Sequence, residues 1–178
     1  MKRIITAFTS LLLATFLLVS CEKEENKIFF EGGTQPVLTA STTAVNLLPP
    51  PADESAEAIK FNWTNPEFRF TTGISSQDVN YKLEFDTVGA NFGSKSKYLT
   101  TIARDLSKRF TVAELNAVLG NSMLLPFGRK YNLEARITST IGASTVALTS
   151  NKVAFTATPY APPPKVPLPI TGKLYIVG

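Results

Sequence analysis

The chain has 178 residues, 44% hydrophobic and only 18% charged, with 18 Lys and Arg against 14 Asp and Glu, one Cys and no His. That composition excludes a Ser-His-Asp or Cys-His triad, an imidazole metal site, an internal disulfide and any thiolate cluster. The length accommodates one domain of ordinary size.

Lys2 and Arg3 open the chain as a basic region, and no charge follows from Ile4 to Val19. At roughly 16 residues this run is short for a membrane span and has the layout of a secretory signal. It ends in Leu18-Val19-Ser20-Cys21, which looks like a lipobox: small residues fit the peptidase cleft and the Cys thiol is acylated before cleavage. Residues 1–20 are therefore predicted as signal peptide, with Cys21 as the lipidated first residue of the mature chain. Loss of Lys2 and Arg3 lowers the formal charge from +4 to +2, too weak a bias for nucleic-acid binding. Glu22, Lys23, Glu24 and Glu25 form a short solvated charge run. Beside the lipobox they resemble the Lys-acidic-acidic export tag of surface lipoproteins. Residues 21–34 are predicted as a lipidated flexible tether.

From Gln35 to Thr158 short alternating runs dominate. Ile59, Phe61 and Trp63 share one face; so do Val79, Tyr81, Leu83 and Phe85, then Tyr131, Leu133, Ala135 and Ile137, then Val153, Phe155 and Ala157. Period two with one apolar face means half-buried antiparallel strands. Weaker strands are expected at Val37–Ala40, Thr43–Leu47, Lys97–Ala103 and Thr145–Thr149. One helix interrupts them. Thr111 and Glu114 make a capping box, Val112, Leu115, Val118 and Leu119 give a helical stripe, and Gly120 is the expected stop after about nine residues. The Leu125-Pro126 pair ahead of Tyr131 resembles a tyrosine corner, in which the phenol bonds backbone upstream and locks the crossover between sheets. The fold class read from this pattern is all-β: an immunoglobulin-like or fibronectin type III-like β-sandwich over 35–158 with one short helix. Trp63 and Tyr131 are assigned to its structural core. A Pro-rich linker, 159–171, follows as a semi-rigid spacer, and 172–178 read as the stub of a further β-rich module.

The residues offer little chemistry. Glu84 and Asp86 share a strand face, as an acid–base pair would, but Asn80 and Lys82 lie on that face too, which suggests an ordinary solvated strand. No catalytic residue, metal ligand or cofactor is expected. Asp86-Thr87-Val88 resembles a short O-glycosylation acceptor, which a strand-to-turn transition explains equally well. Phe68 and Phe70 are placed in a loop. A sugar platform needs exposed Trp or Tyr flanked by hydrogen-bonding groups, and the lone Trp63 is assigned inward, so the sandwich is expected neither to cut nor to bind sugar tightly.

The lipobox and tag, the segment Pro36–Ser41, Phe61-Asn62-Trp63, Val79–Asp86, Ala90-Asn91-Phe92, Thr111–Asn116, Leu133–Ile137, Ser150-Asn151 and Thr156–Tyr160 together resemble the N-terminal domain of the SusE/SusF family of glycan-binding outer-membrane lipoproteins. The resemblance spans roughly residues 1–160, and Leu174–Gly178 is similar to the opening strand of that family's first starch-binding module. It implies a surface lipoprotein, anchored in the outer membrane and acting beside a TonB-dependent transporter and its SusD-like partner. Polysaccharide, starch or another glycan, would be bound by modules beyond this chain, with the sandwich as spacer. Two other roles use the same fold: the N-terminal sandwich of a surface glycoside hydrolase, and a structural or adhesive module.

Overall fold

Ile59, Phe61 and Trp63 are 0, 0 and 4% exposed, and the strand that carries them, β3 (Glu57–Trp63), anchors one of two opposed sheets. The computed structural model describes residues 27–142 and 147–163. In chain order the other strands are β1 (Phe30–Gly32), β2 (Leu38–Ala40), β4 (Arg69–Phe70), β5 (Gly73–Ile74), β6 (Asn80–Thr87), β7 (Tyr98–Ala103), β8 (Ser107–Thr111), β9 (Tyr131–Thr140), β10 (Leu148–Thr149) and β11 (Val153–Ala157), with α1 (Val112–Ala117) between β8 and β9. One sheet runs β2-β3-β8; the opposing sheet runs β10-β9-β6-β7, with β11 also paired to β9. All of these strand pairs are antiparallel.

The core lies between the two sheets. Phe61 of β3 meets Phe85 of β6 at 5.1 Å and Phe155 of β11 at 5.7 Å; Trp63 meets Tyr81 at 5.5 Å, and Phe85 meets Phe110 of β8 at 5.4 Å. Offset and edge-on ring contacts at these distances add to the burial of large apolar area. The alternation read from the sequence thus places the right residues inward on β3, β6, β9 and β11.

Several elements differ from expectation. Thr43–Leu47 is not a strand: Val45 and Leu47 are buried, but pairing is limited to a parallel bridge between Ala44 and Thr156. The chain here leaves β2 and crosses to β11 of the other sheet, where Val45 N–H donates to Thr156 O and Thr156 N–H to Thr43 O. Of the expected Thr145–Thr149 strand, β10 holds the last two residues and 143–146 lie outside the described residues. Strand β8 gives little period-two signal, because Phe110 is its one large apolar residue. The helix is capped as expected, with Glu114 N–H donating to Thr111 Oγ1 and Thr111 N–H donating to Glu114 Oε2. Its first free N–H groups, of Val112 and Ala113, donate to the carbonyls of Ala56 and Glu54. It does not stop at Gly120. After six residues it widens into a π turn, Val118–Ser122, and ends where Leu124 turns to φ 56°. Gly120 is needed for closeness: a Cβ there would collide with the Phe127 ring.

Phe68 and Phe70 are not free loop aromatics. Phe68 is 2% exposed, and Phe70 lies in a small ribbon of order β1-β4-β5. Phe30 packs on both rings, at 5.9 and 5.5 Å. The stretch read as a tether therefore contributes Phe30–Gly32 to a paired ribbon. Cys21, Glu22, Lys23, Glu24 and Glu25, the segment 1–20 read as a signal peptide, and the chain from residue 164 lie outside the described residues.

Candidate functional site

Among the described residues, charged groups converge below the surface on the polar face of β6 and β9. Glu84, Asp86 and Glu134 are 3, 1 and 7% exposed, so the strand face expected to be solvated is solvated at Asn80 and Lys82 but covered at Glu84 and Asp86. The cover is the segment between β6 and β7. Asn91 and Phe92 both adopt left-handed backbone, at φ 51° and 58°, which folds the segment back and sets the Phe92 ring over the sheet. The Arg136 guanidinium lies 4.1 Å from that ring and Lys152 Nζ 5.3 Å from it. Lys97 Nζ is 2.8 Å from Glu84 Oε1, and Arg136 Nε is 2.8 Å from Glu84 Oε2. Lys97 also donates to the Phe92 carbonyl, and Lys152 reaches Glu134 and Asn91 Oδ1. Asp86 accepts from the N–H groups of Thr87 and Ser94, at 2.8 and 3.1 Å.

Burial pushes the Glu84 carboxyl up, but hydrogen bonds from Arg136 and Lys97 and their charges outweigh it and hold it below the usual range. Asp86 is lowered as well, since bonds from Ser94 and Thr87 and the charge of Lys97 overcome its burial. Three carboxylates thus face three cations beneath a covering segment. A general acid needs the opposite environment, a raised carboxyl open to substrate. This cluster pins the 88–97 segment to the sheet. Because both folded-state values lie below the unfolded ones, the stability they contribute is present above about pH 4 and is lost as pH falls through the folded values. Urea midpoints should therefore drop on acidification below about pH 4, and Glu84→Gln should flatten that decline.

Trp63 sits at the end of β3, inside the core. Tyr131, at the start of β9, is half-buried, and its Oη donates to the Pro126 carbonyl at 3.1 Å. Tyr131→Phe should remove that bond alone and cost about 1 kcal/mol, read from urea unfolding.

The chain comes in at one end of the sandwich and leaves at the other. At the first end, Thr34 N–H donates to Pro66 O and Gln35 Nε2 donates to Thr149 O, next to β10, which pairs with the Ser139 end of β9. At the second end, Ala157 pairs with Tyr131 at the opposite end of β9. Pro159 O accepts from Gly128 N–H. The Asn116 amide, 5% exposed, bonds both backbone groups of Tyr160, at 2.8 and 2.9 Å. The Tyr160 hydroxyl donates to the Glu54 carboxylate; burial and that carboxylate push the phenol up to about 12. In the sequence Asn116 and Tyr160 figure only within longer segments, and their bond was not foreseen. The available signal was a polar residue beside Leu115 on the apolar stripe of α1.

No helix among the described residues is long and apolar enough to cross a membrane. A family model described as SusE outer membrane protein matches residues 22–138, about two thirds of the chain. No curated protein matches it.

Proposed function

The chain belongs to the SusE outer membrane protein family, and on that premise we propose that it is a lipid-anchored surface lipoprotein whose sandwich is an in-line spacer supporting glycan capture. The observation that carries the spacer reading is the placement of incoming and outgoing chain at opposite ends of β9. Ten strand residues separate those ends by about 33 Å, so the fold converts attachment at one end into reach at the other. The lipobox supports Cys21 as the acylated residue, and Glu22, Lys23, Glu24 and Glu25 support export to the outer face. A β2-β3-β8 sheet opposed to β7-β6-β9-β11, with Tyr131 bonded at the turn into β9, supports an immunoglobulin-like or fibronectin type III-like identity for the sandwich. The polysaccharide would be held by modules beyond this chain, close to a SusC/SusD-like transporter complex. Occupied, covered carboxylates and an inward Trp63 support the expectation that the sandwich itself holds no glycan site.

Growth with an alkyne fatty acid tests the anchor: the wild type should take up label and Cys21→Ser should not. On the same cells, added protease should degrade the wild type, whereas replacement of Lys23, Glu24 and Glu25 by Ala should protect it. Label retained by Cys21→Ser would refute the anchor, and equal degradation of both proteins would refute the tag.

A further inference from the structure

The ribbon at the incoming end carries an apolar surface that the sandwich does not use. Ile28, Phe29 and Ile74 are 62, 60 and 58% exposed. Ile28 and Ile74 line one shallow groove with Phe70 and Thr72, and Phe29 is held opposite Thr71 by two hydrogen bonds, at 3.2 and 3.0 Å. Single exposed hydrophobics are ordinary, but a group of them on a small ribbon calls for a partner. The eight residues Phe70–Gln77 include four hydroxyl side chains and no charge, so the tip combines apolar rings and branches with groups that tolerate a headgroup region.

We propose that this tip rests in the surface of the lipid bilayer, so that the ribbon orients the sandwich on the membrane rather than merely trailing from it. The inference rests on the reading of Cys21 as the acylated residue. Seven residues lead from Cys21 to Ile28, a span of at most about 25 Å, so an acyl chain on Cys21 keeps the tip within that distance of lipid at all times. A patch that would bind vesicles weakly in solution becomes effective when an anchor supplies a high local concentration. The outgoing end, with Tyr160, lies at the far end of β9, so seating the ribbon in lipid directs the rest of the chain away from the bilayer.

Tryptophan placed in the patch tests this. Phe29→Trp and Ile74→Trp, each in the lipidated full-length mature protein, are reconstituted into phosphatidylethanolamine–phosphatidylglycerol vesicles with brominated acyl chains. The added emission should be quenched by about twofold or more relative to unbrominated vesicles, while the buried Trp63 of the parent serves as the unquenched reference. Far-UV circular dichroism checks that each variant keeps its fold. Acylated protein with neither added Trp quenched overturns the proposal and would favour a protein partner for the patch. The unanchored arm, Cys21→Ser at high lipid concentration, should still partition measurably, and adding Ile28→Ser with Ile74→Ser should lower that partitioning about tenfold. Partitioning that does not respond to these serines also overturns the patch. Mass measurement of the acyl chain judges the anchor separately: an unacylated protein that is quenched keeps the patch and removes the anchor.

Discussion

Replacing Trp63 by Ala is expected to destabilise the sandwich by about 3–5 kcal/mol. The ring is 4% exposed, closes the Tyr81 end of the core at 5.5 Å, and belongs to the cluster that joins both sheets. Truncation removes its transfer free energy and leaves a cavity that two hydrogen-bonded sheets cannot close. Among the described residues its Nε1–H is buried without an acceptor, so the indole contributes bulk and pays for an unmet donor. Trp63→Phe should therefore cost much less than Trp63→Ala, because the smaller ring keeps most of the packing and removes the stranded polar group. Far-UV circular dichroism in urea is the suitable measurement, since the substitution removes the only Trp. Midpoints should fall at unchanged slope. A near-neutral Trp63→Ala would mean that the ring is not a core element, and would revive it as a sugar platform.

How legible these features were depended on where their partners lie along the chain. Strands β3, β6, β9 and β11 announce themselves because each is long enough for period two to repeat, and the capping box of α1 is a local signal that needs no tertiary context. Strand β8 and the β1-β4-β5 ribbon carry no such repeat; two- and three-residue strands exist because Phe30, Phe68 and Phe70 pack together across some forty residues. Gly120 misled for the same reason. Its local meaning is a helix stop, while its role is to admit Phe127. The covered carboxylates were the largest gap: alternation correctly placed Glu84 and Asp86 away from the core, but nothing in β6 says that Asn91 and Phe92 will turn left-handed and bring a lid over them. The bond of the Tyr131 hydroxyl, by contrast, needs little tertiary context, since its acceptor Pro126 lies five residues upstream.

Arg136→Met should cost about 3 kcal/mol, for the converse reason to Trp63: it strands a charge instead of opening a hole. Glu84 is 3% exposed and divides its two oxygens between Arg136 and Lys97, each at 2.8 Å. Met keeps the apolar stem and removes the guanidinium, leaving one buried carboxylate oxygen without its donor and Phe92 without the cation at 4.1 Å. The value belongs near the lower end of the range for broken buried pairs, because the Arg136 and Lys97 side chains are 29 and 27% exposed and water can partly replace the lost partner. A double-mutant cycle separates the pair from its members: Glu84→Gln in the Arg136→Met background should restore part of the loss, since no stranded anion remains. The pH dependence supplies an independent check. In the wild type the ionised Glu84 contributes stability above about pH 4 that is lost in acid. In Arg136→Met burial acts on Glu84 with less opposition, its folded-state value rises, and protonation relieves the stranded charge. The two unfolding midpoints should therefore converge as pH is lowered below about 4. A gap that stays constant down to pH 3 would show that Arg136 acts through packing on Phe92 and not through the Glu84 carboxylate.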